Sequence, residues 1–470
     1  MKFEDLPLDI LIDNILYDLD TQSLVRLSGT CNTFRRLIDD ELLWKHRVLT
    51  DYNLPLDASF RHTGWKRLYL KLEDSVVYTW GENMDGRLGH PCEARPVRGR
   101  IRGGARVARR DDRFASPQEL VSLRGKGIVD IVSSGWGFHA LDRHGRVWLW
   151  GRMLDGYGGQ ILGQRPVPEP TQVQVPSKIQ AISCGRSHAI ALGSDASVWH
   201  WNNYQIVQRI LIEGDPTIVQ VAANWGYSSL ITSQGKLVRV DIPPISTNPE
   251  ESLPDLVIPA TSGVTLQSIE ANAKNNSVPL KPIEKGDKIV QIAGLEKCTL
   301  ALTRYGRIFK IWTELADPLM LVPATLTTEL TKYGATEPEI NDRDATGNNK
   351  KMHRFVSSQF RNFAVYTASG SVLLGHQDET TAESEPEVLE QLQHDICKVT
   401  FGDYHCGALT NQGRLLTWGA NSNGAIGDGT MSMFAERKNI PEEITTLRNM
   451  FVFAIGFGGW QSSALAIPRD

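Results

Sequence analysis

The sequence predicts a mainly β protein, a closed ring of seven antiparallel blades, preceded by a small all-α module. Three observations carry this. A unit of about 24 residues recurs six times inside the chain. A seventh copy is split, with its first half at 451–467 and its second at 76–81. The first fifty residues, by contrast, show helical rather than strand spacing.

The six internal units run over 128–151, 179–202, 218–243, 289–312, 352–376 and 396–419. Each reads as a short apolar run, a turn, a small-apolar alternation, a second turn and a last apolar strand. Gly145, Gly235, Gly306, Gly370 and Gly413 hold equivalent turn positions. Period-two alternation interrupted by Gly, Asn and Asp argues for antiparallel hairpins. One such sheet cannot bury both faces alone, and several arranged radially can. Pairing of 451–467 with 76–81 then closes the ring and removes its open edges. The turn residues agree. Asn83-Met84-Asp85-Gly86, Asp155-Gly156 and Asn421-Ser422-Asn423-Gly424 tolerate positive φ, and Leu88-Gly89, Leu162-Gly163 and Ile426-Gly427 follow them.

The pattern Tyr78-x-Trp80-Gly81-x-Asn83-x-x-Gly86-x-Leu88-Gly89 resembles the repeat of the regulator-of-chromosome-condensation (RCC1) family. The resemblance is clearest in the first and last units. It thins between 218 and 377, where Trp-Gly is lost in three successive units. It implies an RCC1-like seven-bladed β-propeller over 75–470, with loop insertions at 91–118, 241–288 and 313–351.

The 470 residues carry a net charge of −4, which leaves no global electrostatic footprint for nucleic acid. Six cysteines (31, 92, 184, 298, 397 and 406) are scattered without Cys-x-x-Cys or metal-like spacing. That usage fits reduced thiols in the cytoplasm or nucleus. The N-terminal residues lack the apolar core of a signal peptide, and no stretch reaches the roughly eighteen apolar residues of a membrane span. The expectation is a cytoplasmic or nuclear chain with neither nucleic acid nor membrane as partner.

Near the N-terminus, Leu8, Leu11, Ile15 and Leu19 recur at three and four, widened by Ile12 and Leu16. Asp20-Thr21 can cap a second helix bearing Leu24, Leu27 and Cys31, and a third segment over 34–44 carries Leu37, Ile38 and Leu43. Spacing alone leaves two readings, a bundle packed on itself or an apolar face for a partner. Leu6-Pro7-x-Asp9-Ile10-Leu11-x-x-x-Ile15-Leu16-x-x-Leu19, then Leu24, Leu27, Cys31, Phe34-Arg35-x-Leu37 and Leu43-Trp44, resembles an F-box. Asp9 stands where Glu is usual, and Phe34 where Trp is. Gly64-Trp65, with Leu68-Tyr69, resembles the helix that trails an F-box. The expected division is an F-box over 1–50 and a linker helix over 51–74. The resemblance implies binding to the adaptor Skp1, and through it to a cullin and RING module. Leu6, Pro7, Ile10, Leu11, Ile15, Leu16, Leu19, Leu24, Leu27, Leu37 and Trp44 are the implied contact residues.

Residues 91–115 hold eight arginines: Arg95, Arg98, Arg100, Arg102, Arg106, Arg109, Arg110 and Arg113. Such a loop serves either as a solvated spacer or as a basic arm that captures an acidic or phosphorylated substrate by bidentate contacts. Signatures of catalysis are missing: no His-Glu-x-x-His, P-loop or Gly-x-Ser-x-Gly occurs. His188 and His405 share a repeat position that other units fill with Tyr227, Cys298, Asn362 and Gln461, so they read as structural. No cofactor, metal or catalytic residue is expected. The resemblances together imply a non-catalytic receptor subunit of an SCF (Skp1-cullin-F-box) ubiquitin ligase, whose propeller binds a protein destined for proteasomal degradation. Two alternatives are an RCC1-like exchange factor for a small GTPase and a non-degradative Skp1-binding scaffold.

Overall fold

The computed structural model describes residues 11, 15–56, 58–91, 113–153, 166–242, 253–259, 263–275, 280–312, 327–334, 354–431 and 436–469. Their strands form seven sheets, the blades of a propeller. The inner strands of blades 1 to 7 are Ile128–Ser133, Ile179–Cys184, Ile218–Ala223, Ile289–Gly294, Phe355–Gln359, Ile396–Phe401 and Met450–Phe457, and together they line one central channel. Second strands such as Ala189–Gly193, Tyr227–Thr232 and Cys298–Thr303 are buried along their whole length. Neighbouring blades cover both of their faces, so small and apolar residues alternate there instead of apolar and polar ones.

The ring closes as the split repeat predicts. Gln461–Pro468 pairs antiparallel with Val76–Glu82, from Val76 opposite Ala466 to Gly81 opposite Gln461. Blade 7 is completed by Arg113–Glu119 on its outside. That strand falls within the expected loop insertion at 91–118, whose last residues are therefore ladder rather than loop. The Trp-Gly glycines have a specific task. Gly81, Gly151 and Gly419 adopt φ of 103°, 93° and 108°, and at each the register to the outer strand slips. A Cβ on Gly81 would strike the Trp460 carbonyl, so only glycine fits the bulge.

The outer strands show how open edges are handled. Arg113–Glu119, Val167–Val173 and Arg437–Glu443 contain Pro117, Pro168 with Pro170, and Pro441, which cannot donate to an added strand. The outer strand of blade 2, Ile206–Ile212, has no proline, and a short parallel strand, Leu256–Ile258, covers it instead. Among the described residues, blade 3 has three strands. Helix Leu266–Asn275 packs Leu266 and Ile269 into the core beside Ile231, Leu237 and Phe309, where an outer strand would lie. The expected insertion at 241–288 thus holds a strand and a helix. The one at 313–351 contains the fourth strand of blade 4, Thr327–Glu329.

The helical module contains α1 (Thr21–Ser28), α2 (Asn32–Ile38) and α3 (Glu41–Asp51). Asp20 and Asp40 cap α1 and α3, accepting from the Ser23 and Leu42 amides at 2.9 and 2.7 Å. Within 51–74, residues 52–56 and 58–64 are non-helical, and α4 (Trp65–Lys71) and a 3₁₀ turn (Leu72–Asp74) follow. The Glu41 carboxylate accepts from the Gly64 and Trp65 amides at 3.0 and 2.8 Å, which fixes α4 to α3. Trp65, Leu68 and Leu72 then run the core of the module into Phe451, Leu465 and Ile467 of blade 7. Each such buried side chain contributes about 1.5–3 kcal/mol, so the module is seated on the propeller rather than tethered to it. Among the described residues, no helix is long and apolar enough to cross a membrane.

Candidate partner-binding surfaces

Two ends of the channel define two surfaces. At one end, residues 53–56 and 58–62 cross the mouth as a strap. Asn53, at φ 56°, donates from Nδ2 to the Ile179 carbonyl of blade 2 at 2.8 Å. Pro55 and Ala58 border the channel, and the Phe60 amide donates to the Cys397 carbonyl of blade 6 at 2.7 Å. Arg61 reaches the Asn411 carbonyl at 2.6 Å. The helical module therefore sits at this end.

At the opposite end, each inner strand leads into a turn, and one repeat position forms a ring: Gly135, Arg186, Trp225, Glu296, Phe360, Asp403 and Gly459. Arg186 reaches across it. Its two terminal nitrogens donate to Asp403 Oδ2 and Oδ1 at 2.8 and 2.5 Å, and one also donates to Glu296 Oε1 at 3.0 Å. Glu296 accepts from Arg361 through its other oxygen at 2.8 Å. The guanidinium also lies 4.2 Å from the Trp225 ring and 4.7 Å from that of Phe360. Burial alone would lower the pKa of Arg186, but the Asp403 and Glu296 carboxylates outweigh it and raise the value. Between strap and ring lies a cavity of 160 Å³. Beside the ring, a groove of 1090 Å³ opens across blades 5 and 6.

The shared-position histidines join blades. His188 Nε2 meets Ser228 Oγ at 3.0 Å, and His405 Nε2 meets Ser462 Oγ at 2.7 Å, each in the following blade. Burial pulls His405 down to about 3 and His188 well below its ordinary range, so both are neutral structural ties. Among the described residues, no group of three His, Cys, Asp or Glu side chains could hold a metal ion.

The expected Skp1-contact residues divide by depth. Leu11, Leu16, Leu24, Leu37 and Trp44 are buried inside the module, with Trp44 Nε1 donating to the Ile38 carbonyl at 2.5 Å. Ile15, Leu19 and Leu27 are half-buried. Leu6, Pro7 and Ile10 lie outside the described residues. Apolar side chains that do face solvent include Val25 and Leu42, which the helical spacing did not single out. Of the eight arginines, Arg95, Arg98, Arg100, Arg102, Arg106, Arg109 and Arg110 lie outside the described residues, and Arg113 stands opposite Glu82 in the outer strand of blade 7. The Arg186 ring was missed as well. Its signal was available as a repeat column two residues before His188 and His405 that holds Arg, Trp, Glu, Phe and Asp in successive blades.

Residues 3–50 match the F-box-like family. Residues 74–141, 144–192 and 412–465 match the regulator of chromosome condensation (RCC1) repeat, as do 396–425 in a second form of it. The chain is an F-box-like segment joined to an RCC1-type seven-bladed propeller. F-box protein pof9 of Schizosaccharomyces pombe is 22% identical over all of this chain and 91% of its own length. The RCC1-like G exchanging factor-like protein of Mus musculus is 24% identical over 78% of this chain and 84% of its own. SCF-associated factor 1 of Saccharomyces cerevisiae is 22% identical over 62% of this chain, which spans 42% of that protein. The crystal structure of human WBSCR16 matches with a TM-score of 0.56 at 18% identity, covering 84% of this chain and 100% of that one. At that identity the likeness concerns the fold alone.

Proposed function

We propose that this chain is the non-catalytic substrate-recognition subunit of an SCF-type ubiquitin ligase in the cytoplasm or nucleus. The helical module docks on Skp1, which links it to a cullin and RING module, and the propeller holds the protein to be ubiquitinated for degradation. One observation carries the reading: an F-box-like segment locked by strap and α4 to one end of a propeller, with the other end facing away. Ligation chemistry belongs to the partners, and this chain supplies proximity by raising the effective concentration of target lysines. On the Skp1 side, Leu6, Pro7 and Ile10 join Ile15, Leu19, Leu27, Val25 and Leu42 as the contact surface, while Leu11, Leu16, Leu24, Leu37 and Trp44 hold its shape. In pull-downs of the full chain with purified Skp1, the double replacement Leu6→Ala and Pro7→Ala is expected to weaken capture with the propeller's melting unchanged. Undiminished capture would refute the docking assignment.

A second reading, nucleotide exchange on a small GTPase, is favoured by the relative whose name describes a G exchanging factor. Release of a labelled guanine nucleotide from Ran separates the two. Acceleration by the purified chain supports exchange, and none is expected from a receptor. A non-degradative scaffold would leave the lifetime of its bound protein unchanged when the cullin is inactivated.

A further inference from the structure

The groove beside the Arg186 ring has two unlike walls. Its outer wall is the connection from blade 5 to blade 6. Residues 378–390 carry Asp378, Glu379, Glu383, Glu385, Glu387 and Glu390 with no lysine or arginine among them. This segment is firmly held. Glu387 exchanges backbone hydrogen bonds with Leu374 at 2.9 and 3.1 Å, and the buried Lys310 ammonium donates to the Gln377 and Thr380 carbonyls at 2.7 and 2.6 Å. Lys297 and Lys332 pair with Asp378 and Glu385. Glu379 and Glu387 border the groove, exposed, with no ion-pair partner among the described residues.

The axial wall is aromatic. Tyr404 is 54% exposed and stacks on Trp460 at 6.4 Å and 16°, with Trp136 beside them. Arg186 and Arg361 also reach this wall, but Asp403 and Glu296 already bind them. Arg437 borders the groove as well, so the recognised segment must tolerate one cation. Unpaired carboxylates facing aromatic rings suit a lysine or arginine side chain, whose stem packs on the rings while its head meets the carboxylates. The rigid backbone of the acidic wall means little ordering is lost on binding.

We propose that this groove docks an extended, lysine- or arginine-bearing segment of the target protein; this rests on the receptor reading and adds the chemistry of the target. The test is fluorescence anisotropy of the full chain with a labelled alternating lysine–alanine peptide, against glutamate–alanine and serine–alanine peptides. Selective binding of the lysine peptide is expected, with affinity falling on the order of tenfold for the pair Glu379→Lys and Glu387→Lys, and also for Tyr404→Ala. These positions are exposed, and unchanged melting temperatures would confirm intact folding. The Leu6→Ala and Pro7→Ala chain should bind the peptide normally, and the groove variants should still capture Skp1, so the two assignments fail separately. Equal binding of all three peptides, or affinity indifferent to both groove variants, would overturn the proposal. So would lysine-peptide binding that emerges only after the arginines at 95–110 become serine, which would make the chain's own segment the occupant.

Discussion

Arg61 lies with its guanidinium carbon 4.9 Å from the centroid of the Phe451 ring. The pair joins strap to closing blade, because Arg61 lies near the end of the strap and Phe451 is the second residue of the inner strand of blade 7. Gly64 packs so closely on the same ring that an added Cβ would come within 2.8 Å of Phe451 Cζ. The orientation of the helical module is therefore set by a few contacts around one phenyl ring.

Arg61→Ala should remove that control. Arg61 is 3% exposed and donates to the Asn411 carbonyl, so the change leaves a buried acceptor unpaired and a void beside the ring. The expected loss is about 2–4 kcal/mol in denaturant unfolding, with faster proteolysis within 52–64. Unchanged stability and protease resistance would show that the strap is dispensable.

Ring closure can be tested at Gly81. Its φ of 103° and the Trp460 carbonyl in front of it exclude any side chain. Gly81→Val should cost about 3 kcal/mol or more and separate blade 7 from the strand that closes it. Faster hydrogen exchange across 76–82 and 461–468 is the expected readout.

The buried histidines predict an acid limb. Burial lowers His139 and His405 to about 3 and His200 to about 4, whereas the unfolded chain titrates near 6.5. All are neutral in both states above pH 6.5, so their contribution is complete there. Below it only the unfolded chain takes up protons, and stability falls by about 1.4 kcal/mol per pH unit for each histidine, down towards its folded value. His405→Gln, which installs the residue blade 7 uses at Gln461, should remove one proton from this slope in urea unfolding between pH 7 and 5. An identical slope would exclude His405 from the effect.

At the far end, Arg186→Met strips the partner from Asp403 and one of two from Glu296. The side chain of Glu296 is 5% exposed, and that of Asp403 is 17%. Leaving such charges uncompensated costs about 3–5 kcal/mol, read as a lower midpoint in urea unfolding at neutral pH. A variant with wild-type stability at neutral pH would show that the ring does not need its cation.

The ring itself was legible because turn glycines and the split repeat depend on backbone conformation, which sequence expresses directly. The units between 218 and 377 lose that wording for a physical reason. Helix Leu266–Asn275 stands in for an outer strand in blade 3, and a single bridge between Leu374 and Glu387 does so in blade 5. Without an outer strand to slip past, the Trp-Gly bulge has no purpose in those two blades, and in blade 4 the three-residue outer strand Thr327–Glu329 pairs with Phe309–Ile311 without a slip. Strand 113–119 hid at the end of an arginine-rich stretch whose charge masked its pairing. The apolar positions of the F-box could not be sorted by depth, since one helical period describes both a self-packed core and a docking face. Leu24 and Leu27 share one stripe, yet Leu24 is wholly buried and Leu27 is not. The Arg186 ring eluded the reading because its meaning exists only across blades, where each position differs.

The latch between Val76–Glu82 and Gln461–Pro468 also governs when the molecule can be finished. A ribosome that has made the first strand must add about 380 more residues before its mate emerges, a wait of roughly 20–80 s at usual elongation rates. Until then the edge of the strand that Arg113–Glu119 does not take is an unclaimed template beside a nascent chain rich in β segments. Anything that slows translation late in the message would lengthen that exposure, and with it the opportunity for mispairing.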